Sequence, residues 1–183
     1  MDNQPLVIMI SGPNGSGKST LTAQYIQNHS SFPKLYINAD NLKKEYDLTD
    51  QAAQLKADEL RQQALKERKS FAFETVMSHA SKPDLLRQAK ELGYRTELLF
   101  VSTISPQINE GRVQDRVASG GHDVPAERIE PRYHRSMNLL PHALKYADKA
   151  RVFNNSFERP ALIIKKDLRS EEHTSELQSR QVI

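Results

Sequence analysis

The stretch LVIMISGPNGSGKST, Leu6 to Thr20, sets a run of apolar residues directly against a glycine-rich loop. A short continuous apolar run closed by Gly12-Pro13 predicts a strand buried on both faces of a parallel sheet. Gly12 to Ser19 then matches G-x-x-x-x-G-K-[ST], and Lys18 to Asn28 reads as the helix this motif needs after its strand. The small residues Gly12, Pro13, Asn14, Gly15, Ser16 and Gly17 let backbone N–H groups turn inward around phosphates. The helix start beyond them adds the positive end of its dipole. Lys18 is expected to reach the β- and γ-phosphates of a nucleotide, with the Ser19 hydroxyl on Mg²⁺ and Thr20 completing the loop. The loop alone leaves open whether the phosphate is transferred, used as a switch or used for mechanical work.

Composition narrows the field. The chain has 183 residues, no cysteine and a formal charge of +3, so disulfides and thiolate-held metals are excluded and the mild positive charge suits anionic ligands in general. The longest apolar run is too short to span a bilayer, and the Met1 to Pro5 segment before it has Asp2 but no Lys or Arg, unlike a signal peptide. The expectation is a cytoplasmic protein without a membrane. Arg169 to Ser179, RSEEHTSELQS, is a polar run with no apolar period, and one valid coding of it resembles a sequencing-library adapter. Residues 169–183 are therefore expected to be an artefactual, disordered tail, and residues 1–168 a single domain.

Further strands are expected at Leu35-Tyr36-Ile37, Phe71 to Glu74, Leu98 to Val101, Ala150 to Phe153 and Leu162 to Ile164. Between them lie helical patterns over Asn41 to Lys69, Pro83 to Leu92, Ile104 to Ala118 and Pro125 to Ala147. The last of these is expected to be interrupted at Pro131 and Pro141. Strands alternating with helices give an α/β fold, a mostly parallel sheet covered by helices on both faces. Ligands in such sheets bind beyond the carboxyl ends of the strands, where Gly12, Asp40 and Glu74 all fall.

Asp40 has two compatible readings: an N-cap for the helix it opens, or a base for a substrate hydroxyl during in-line transfer. Glu74 reads as a capping or ion-pairing residue, as an acceptor for substrate hydroxyls, or as a group in the outer shell of the metal. Arg112, Arg116, Arg128, Arg132 and Arg135 flank Gly120-Gly121-His122-Asp123. Singly each reads as part of a solvated helix face; together they suggest a lid that brings guanidinium groups to the transferred charge. His122 reads either as a phosphate contact in that lid or as a simply exposed loop histidine. The interleaved charges of Lys56 to Lys69 read as a solvated face. No D-x-x-G follows the loop and no N-K-x-D is present, which disfavours a GTPase switch. A mechanical ATPase is disfavoured too, for want of a long apolar strand ending in paired acids and of room for a coupling domain.

Together with the loop, INAD (Ile37 to Asp40), FET (Phe73 to Thr75), NEGRVQDRVASGGHDVP (Asn109 to Pro125), RYHRSMNL (Arg132 to Leu139) and VFNNS (Val152 to Ser156) resemble the small zeta-toxin-like P-loop kinases of bacteria. The resemblance implies a P-loop kinase-type three-layer sandwich with an arginine-rich lid. It also implies ATP- and Mg²⁺-dependent phosphorylation of the sugar 3′-hydroxyl of UDP-N-acetylglucosamine. By the same resemblance Lys18 is the loop lysine, Asp40 the catalytic base, Glu74 a substrate-binding carboxylate and Arg116 a transition-state arginine, with Arg128 or Arg132 as the second. It further admits an antitoxin partner. Where the large toxins continue with a Gly-Thr-Gly-Arg type of stretch, this chain has Thr75-Val76-Met77-Ser78-His79, so the sugar contacts of that stretch do not carry over. The rivals are a kinase for another small metabolite or nucleoside, and a non-catalytic ATP-gated binding protein. A nucleic-acid kinase is disfavoured, because no basic stripe is interleaved with aromatic residues.

Overall fold

The computed structural model describes residues 4–121 and 123–168, so His122 and the 169–183 tail lie outside the described residues. Strand β1 (Leu6–Ser11) is buried along its whole length. Its Val7 and Met9 face one core with Phe71, Phe73, Leu98 and Phe100, while Leu6, Ile8 and Ile10 face the other. That alternation is why the strand reads as unbroken apolar sequence.

The chain continues through α1 (Lys18–Asn28), β2 (Leu35–Ile37), α2 (Ala39–Tyr46), α3 (Asp50–Lys66), β3 (Phe71–Thr75), α4 (Ser81–Glu91) and β4 (Arg95–Ser102), then α5 (Pro106–Ala118), α6 (Ala126–Tyr146), β5 (Lys149–Asn154) and β6 (Ala161–Lys166). The sheet order is β2-β3-β1-β4-β5-β6. All neighbours are parallel except β5 and β6, which pair antiparallel across a register shift at Val152/Phe153. The direction changes there because a short loop joins the two strands, whereas parallel pairing needs a long crossover. Residues of α1 pack on the Ile8 face, and residues of α2, α3, α4 and α6 pack on the Val7 face.

β1 lies between β3 and β4, and the chain first winds toward β2 and then toward β5. Its carboxyl end is thus the point where the winding reverses, and the glycine-rich loop starts there.

Four details differ from the sequence reading. The helical stretch after β2 is two helices, separated where Asp47 adopts a left-handed backbone at φ 51°. α6 runs through both Pro131 and Pro141 without interruption. Each proline removes one backbone donor, and the buried side of the helix, Ile129, Tyr133, Ser136, Leu140 and Ala143, holds it against the body regardless. Arg61, expected on a solvated face, is only 1% exposed. Its guanidinium lies 5.2 Å from the Phe73 ring centroid and pairs with Asp58, so its charge is matched where it is buried.

The N-cap of α2 is Asn38, not Asp40. Asn38 Oδ1 accepts from the backbone N–H of Asp40 at 2.8 Å and of Asn41 at 3.3 Å, which leaves the Asp40 carboxylate free of capping work. Asn38→Ala is expected to cost about 1 kcal/mol in urea unfolding, with Asn38→Asp recovering most of it.

Candidate active site

The loop between β1 and α1 has a backbone that only glycine adopts readily. Gly15 and Gly17 lie at φ 75° and 91°. A Cβ on Gly15 would run into the Asn109 backbone, and one on Gly17 into the Asn155 side-chain amide. Gly17 is also the N-cap of α1 and offers no side-chain acceptor, so the first amides of the helix stay available to a ligand. Asn14, Gly15, Gly17, Lys18, Ser19 and Thr20 line the cavity above the loop, and Gly12, Pro13 and Ser16 are buried. The Ser16 hydroxyl and Asn14 Oδ1 are buried without a hydrogen-bond partner among the described residues.

Lys18 folds back over the loop and donates to the Pro13 carbonyl at 2.8 Å. Burial lowers its pKa; Glu74 and Asp40 oppose that shift, and Arg116 adds to it. A polyphosphate above the loop would supply the negative charge this ammonium lacks.

The cavity, about 660 Å³, is shared by Lys18, Ser19, Asp40, Glu74, Arg112, Arg116, Arg128 and Arg132. Asp40, Glu74 and four of the five lid arginines expected from the sequence therefore open onto one space. Arg135 is not among the lining residues. Glu74, just beyond the buried part of β3, accepts from the Ser19 hydroxyl at 3.1 Å and from the Tyr36 hydroxyl at 2.7 Å. Among the described residues no three His, Cys, Asp or Glu side chains cluster to hold a metal by themselves. The Ser19 hydroxyl, with Glu74 behind it, fits Mg²⁺ of the kind that keeps most of its shell as water and nucleotide phosphate.

The arginines stand on α5 and α6, which meet through their own small core of Val113, Val124 and Ile129. α6 is pinned to the body where Tyr133 donates to the Thr103 carbonyl at 2.7 Å and Ser136 to the Val76 carbonyl at 2.8 Å. At the end of α5 the Gly121 N–H reaches back to the Arg116 carbonyl and the Gly120 N–H to that of Val117, both at 2.9 Å. This pattern closes the helix one turn after Arg116. Arg112 Nη1 is buried without a partner, and Arg112, Arg116 and Arg128 have no ion-pair partner among the described residues. Burial lowers the pKa of Arg132, as do the neighbouring charges of Arg128 and Arg135, against a smaller pull from Asp50. Like charges gathered without counter-ions are costly unless an anion joins them.

The zeta toxin family model matches residues 1–168. The chain belongs to the zeta toxin family. It is 33% identical over 135 residues to an uncharacterized protein of Haemophilus influenzae, covering 71% of this chain and 94% of that one. Among solved structures it is similar to one from the PezAT chromosomal toxin-antitoxin system of Streptococcus pneumoniae, with TM-score 0.59, 13% identity and coverage of 90% of this chain and 72% of that one. It is also similar to the AvrRxo1-ORF1:-ORF2 complex solved with ATP, with TM-score 0.71 and 14% identity. That match covers 98% of this chain but 65% of the other. These likenesses establish the P-loop kinase fold, and family and fold together support an ATP-dependent phosphotransferase in general terms.

Two asparagines of this chain had no role in the sequence reading. Asn109 Nδ2 donates to the Asn14 carbonyl at 2.7 Å, and Asn155 Nδ2 to the Ser16 carbonyl at 2.8 Å. They brace the glycine loop from α5 and from the end of β5. Their only signal in the sequence was their place in the NEGRVQDRVASGGHDVP and VFNNS stretches, since an amide reaching a distant carbonyl leaves no periodic trace. Asn155→Ala strips the Ser16 carbonyl of a donor and is expected to cost about 1–3 kcal/mol in thermal or urea unfolding. A severalfold weaker ATP affinity, read by calorimetry, should accompany it.

Proposed function

We propose that this zeta toxin family protein is an ATP- and Mg²⁺-dependent kinase for a small-molecule hydroxyl, with a nucleotide-sugar such as UDP-N-acetylglucosamine as the preferred acceptor. The observation that carries the reading is the shared cavity, which brings together the glycine-rich loop, the Asp40 carboxylate that does no capping, and Arg112, Arg116 and Arg128, which have no ion-pair partner among the described residues.

In this reading the backbone of Gly12 to Thr20 and the Lys18 ammonium hold the ATP phosphates, and Ser19 holds Mg²⁺. Bound there, the metal would neutralise charge between the β- and γ-phosphates. Asp40, lining the same cavity, orients the acceptor hydroxyl and takes its proton as the γ-phosphoryl passes to it. Arg116 and either Arg128 or Arg132 meet the charge on the transferring group, which a planar guanidinium matches better than an ammonium does. The remaining cations suit an acceptor that is itself anionic. The pneumococcal neighbour belongs to a toxin-antitoxin system, and that supports a partner antitoxin for this chain as well.

The test is to incubate the full chain with ATP, Mg²⁺ and a panel of UDP-sugars, nucleosides and small alcohols, following each acceptor by mass spectrometry. A gain of one phosphate on a UDP-sugar is expected. A gain only on another metabolite would keep the kinase and replace the acceptor. No gain anywhere, with ATP loss insensitive to Asp40→Asn, would overturn the phosphotransferase.

A further inference from the structure

The geometry points to Tyr36 as a positioning residue that locks Glu74 onto the Ser19 hydroxyl, making Glu74 an orienter of the metal ligand rather than a carboxylate held for the acceptor. The inference rests on the kinase reading above. A serine hydroxyl has one proton and two lone pairs, and Ser19 commits its proton to Glu74 Oε1 at 3.1 Å. Only lone pairs then remain to face the cavity, the arrangement a hard cation requires. The other oxygen of Glu74 is held by the Tyr36 hydroxyl at 2.7 Å, so the carboxylate cannot turn away without losing the shorter of its two bonds.

Tyr36 is suited to this. It stands on β2 next to β3, one residue before the Ile37↔Phe73 register pair, and its ring packs near Phe32 with centroids 6.0 Å apart. The Asn38 amide in turn donates to the Tyr36 oxygen at 3.4 Å, a long contact, while the same side chain caps the helix that carries Asp40. A single phenol thus ties the metal side of the cavity to its base side. Groups that orient a ligand in this way typically change metal affinity about 10- to 100-fold when removed.

The test is calorimetric titration of ATP into the full chain, with Mg²⁺ and with the metal chelated, for wild type, Tyr36→Phe, Glu74→Gln and the double variant. Tyr36→Phe is expected to leave metal-free ATP affinity within about twofold and to reduce the Mg²⁺-dependent tightening about tenfold. Because Tyr36 acts through Glu74, the double variant should lose no more than Glu74→Gln does alone. A Tyr36→Phe protein that weakens ATP equally with and without Mg²⁺ would reveal a merely structural tyrosine and overturn the inference. So would an unchanged Mg²⁺ dependence, in which case phosphate transfer by wild type would leave the kinase reading standing. A wild-type chain that binds no ATP in either condition overturns both.

Discussion

Arg116→Ala is expected to lower kcat by about 10³-fold or more while changing ATP affinity only a few-fold, the range for removal of an arginine that meets charge only in the transition state. Arg116 has no ion-pair partner among the described residues, lines the cavity, and lies close enough to Lys18 to depress its pKa. The glycine turn at the end of α5 fixes its place. The Gly121 N–H binds the Arg116 carbonyl at 2.9 Å, and a Cβ on Gly121 would come within 2.6 Å of Arg116 Cγ. Arg116→Lys keeps the charge but loses the planar fork, and should recover only a minor part of the rate. The measurement is kcat on the acceptor found by mass spectrometry, beside calorimetric ATP affinity. A kcat within about threefold of wild type would remove Arg116 from the transferring phosphate.

Asp40→Asn should reduce kcat by about 10²- to 10⁴-fold, the usual contribution of a positioned base, and leave ATP affinity and stability unchanged. The stability half rests on the capping arrangement: Asn38 accepts the N–H groups at the helix start, and Asp40 is exposed. Asparagine in its place can still hydrogen-bond an acceptor hydroxyl but cannot take its proton. Loss of turnover with an unshifted melting temperature and unchanged ATP binding separates a base from a structural carboxylate. If the variant turns over normally, the proton leaves by another route. If it melts early, Asp40 is part of the fold.

The sequence showed the sheet well, because β1 carries both its signals at once. Its apolar run requires burial on two faces, and the glycine motif after it requires a phosphate loop at that strand end. It did not show that α6 survives Pro131 and Pro141, since proline opposes a helix locally and only tertiary packing outweighs it. Arg61 was misread for a related reason. A charge pattern says nothing of the Phe73 ring and the Asp58 carboxylate that come to meet one member of it.

For the site, the order of residues along the chain determined the parts: a loop that grips phosphate, Asp40 and Glu74 after strands at the same end, and arginines about a glycine turn. These are local facts, set by residue type and spacing. What each carboxylate is free to do was decided only in three dimensions. The Asn38 side chain takes the capping work that the sequence had offered to Asp40, while Ser19 and Tyr36 each claim one oxygen of Glu74. Ser19 and Glu74 are 55 positions apart, and Tyr36 and Glu74 are 38. No local pattern encodes a hydrogen bond between such distant residues; it exists because parallel winding brings the carboxyl ends of β1, β2 and β3 to the same end of the sheet.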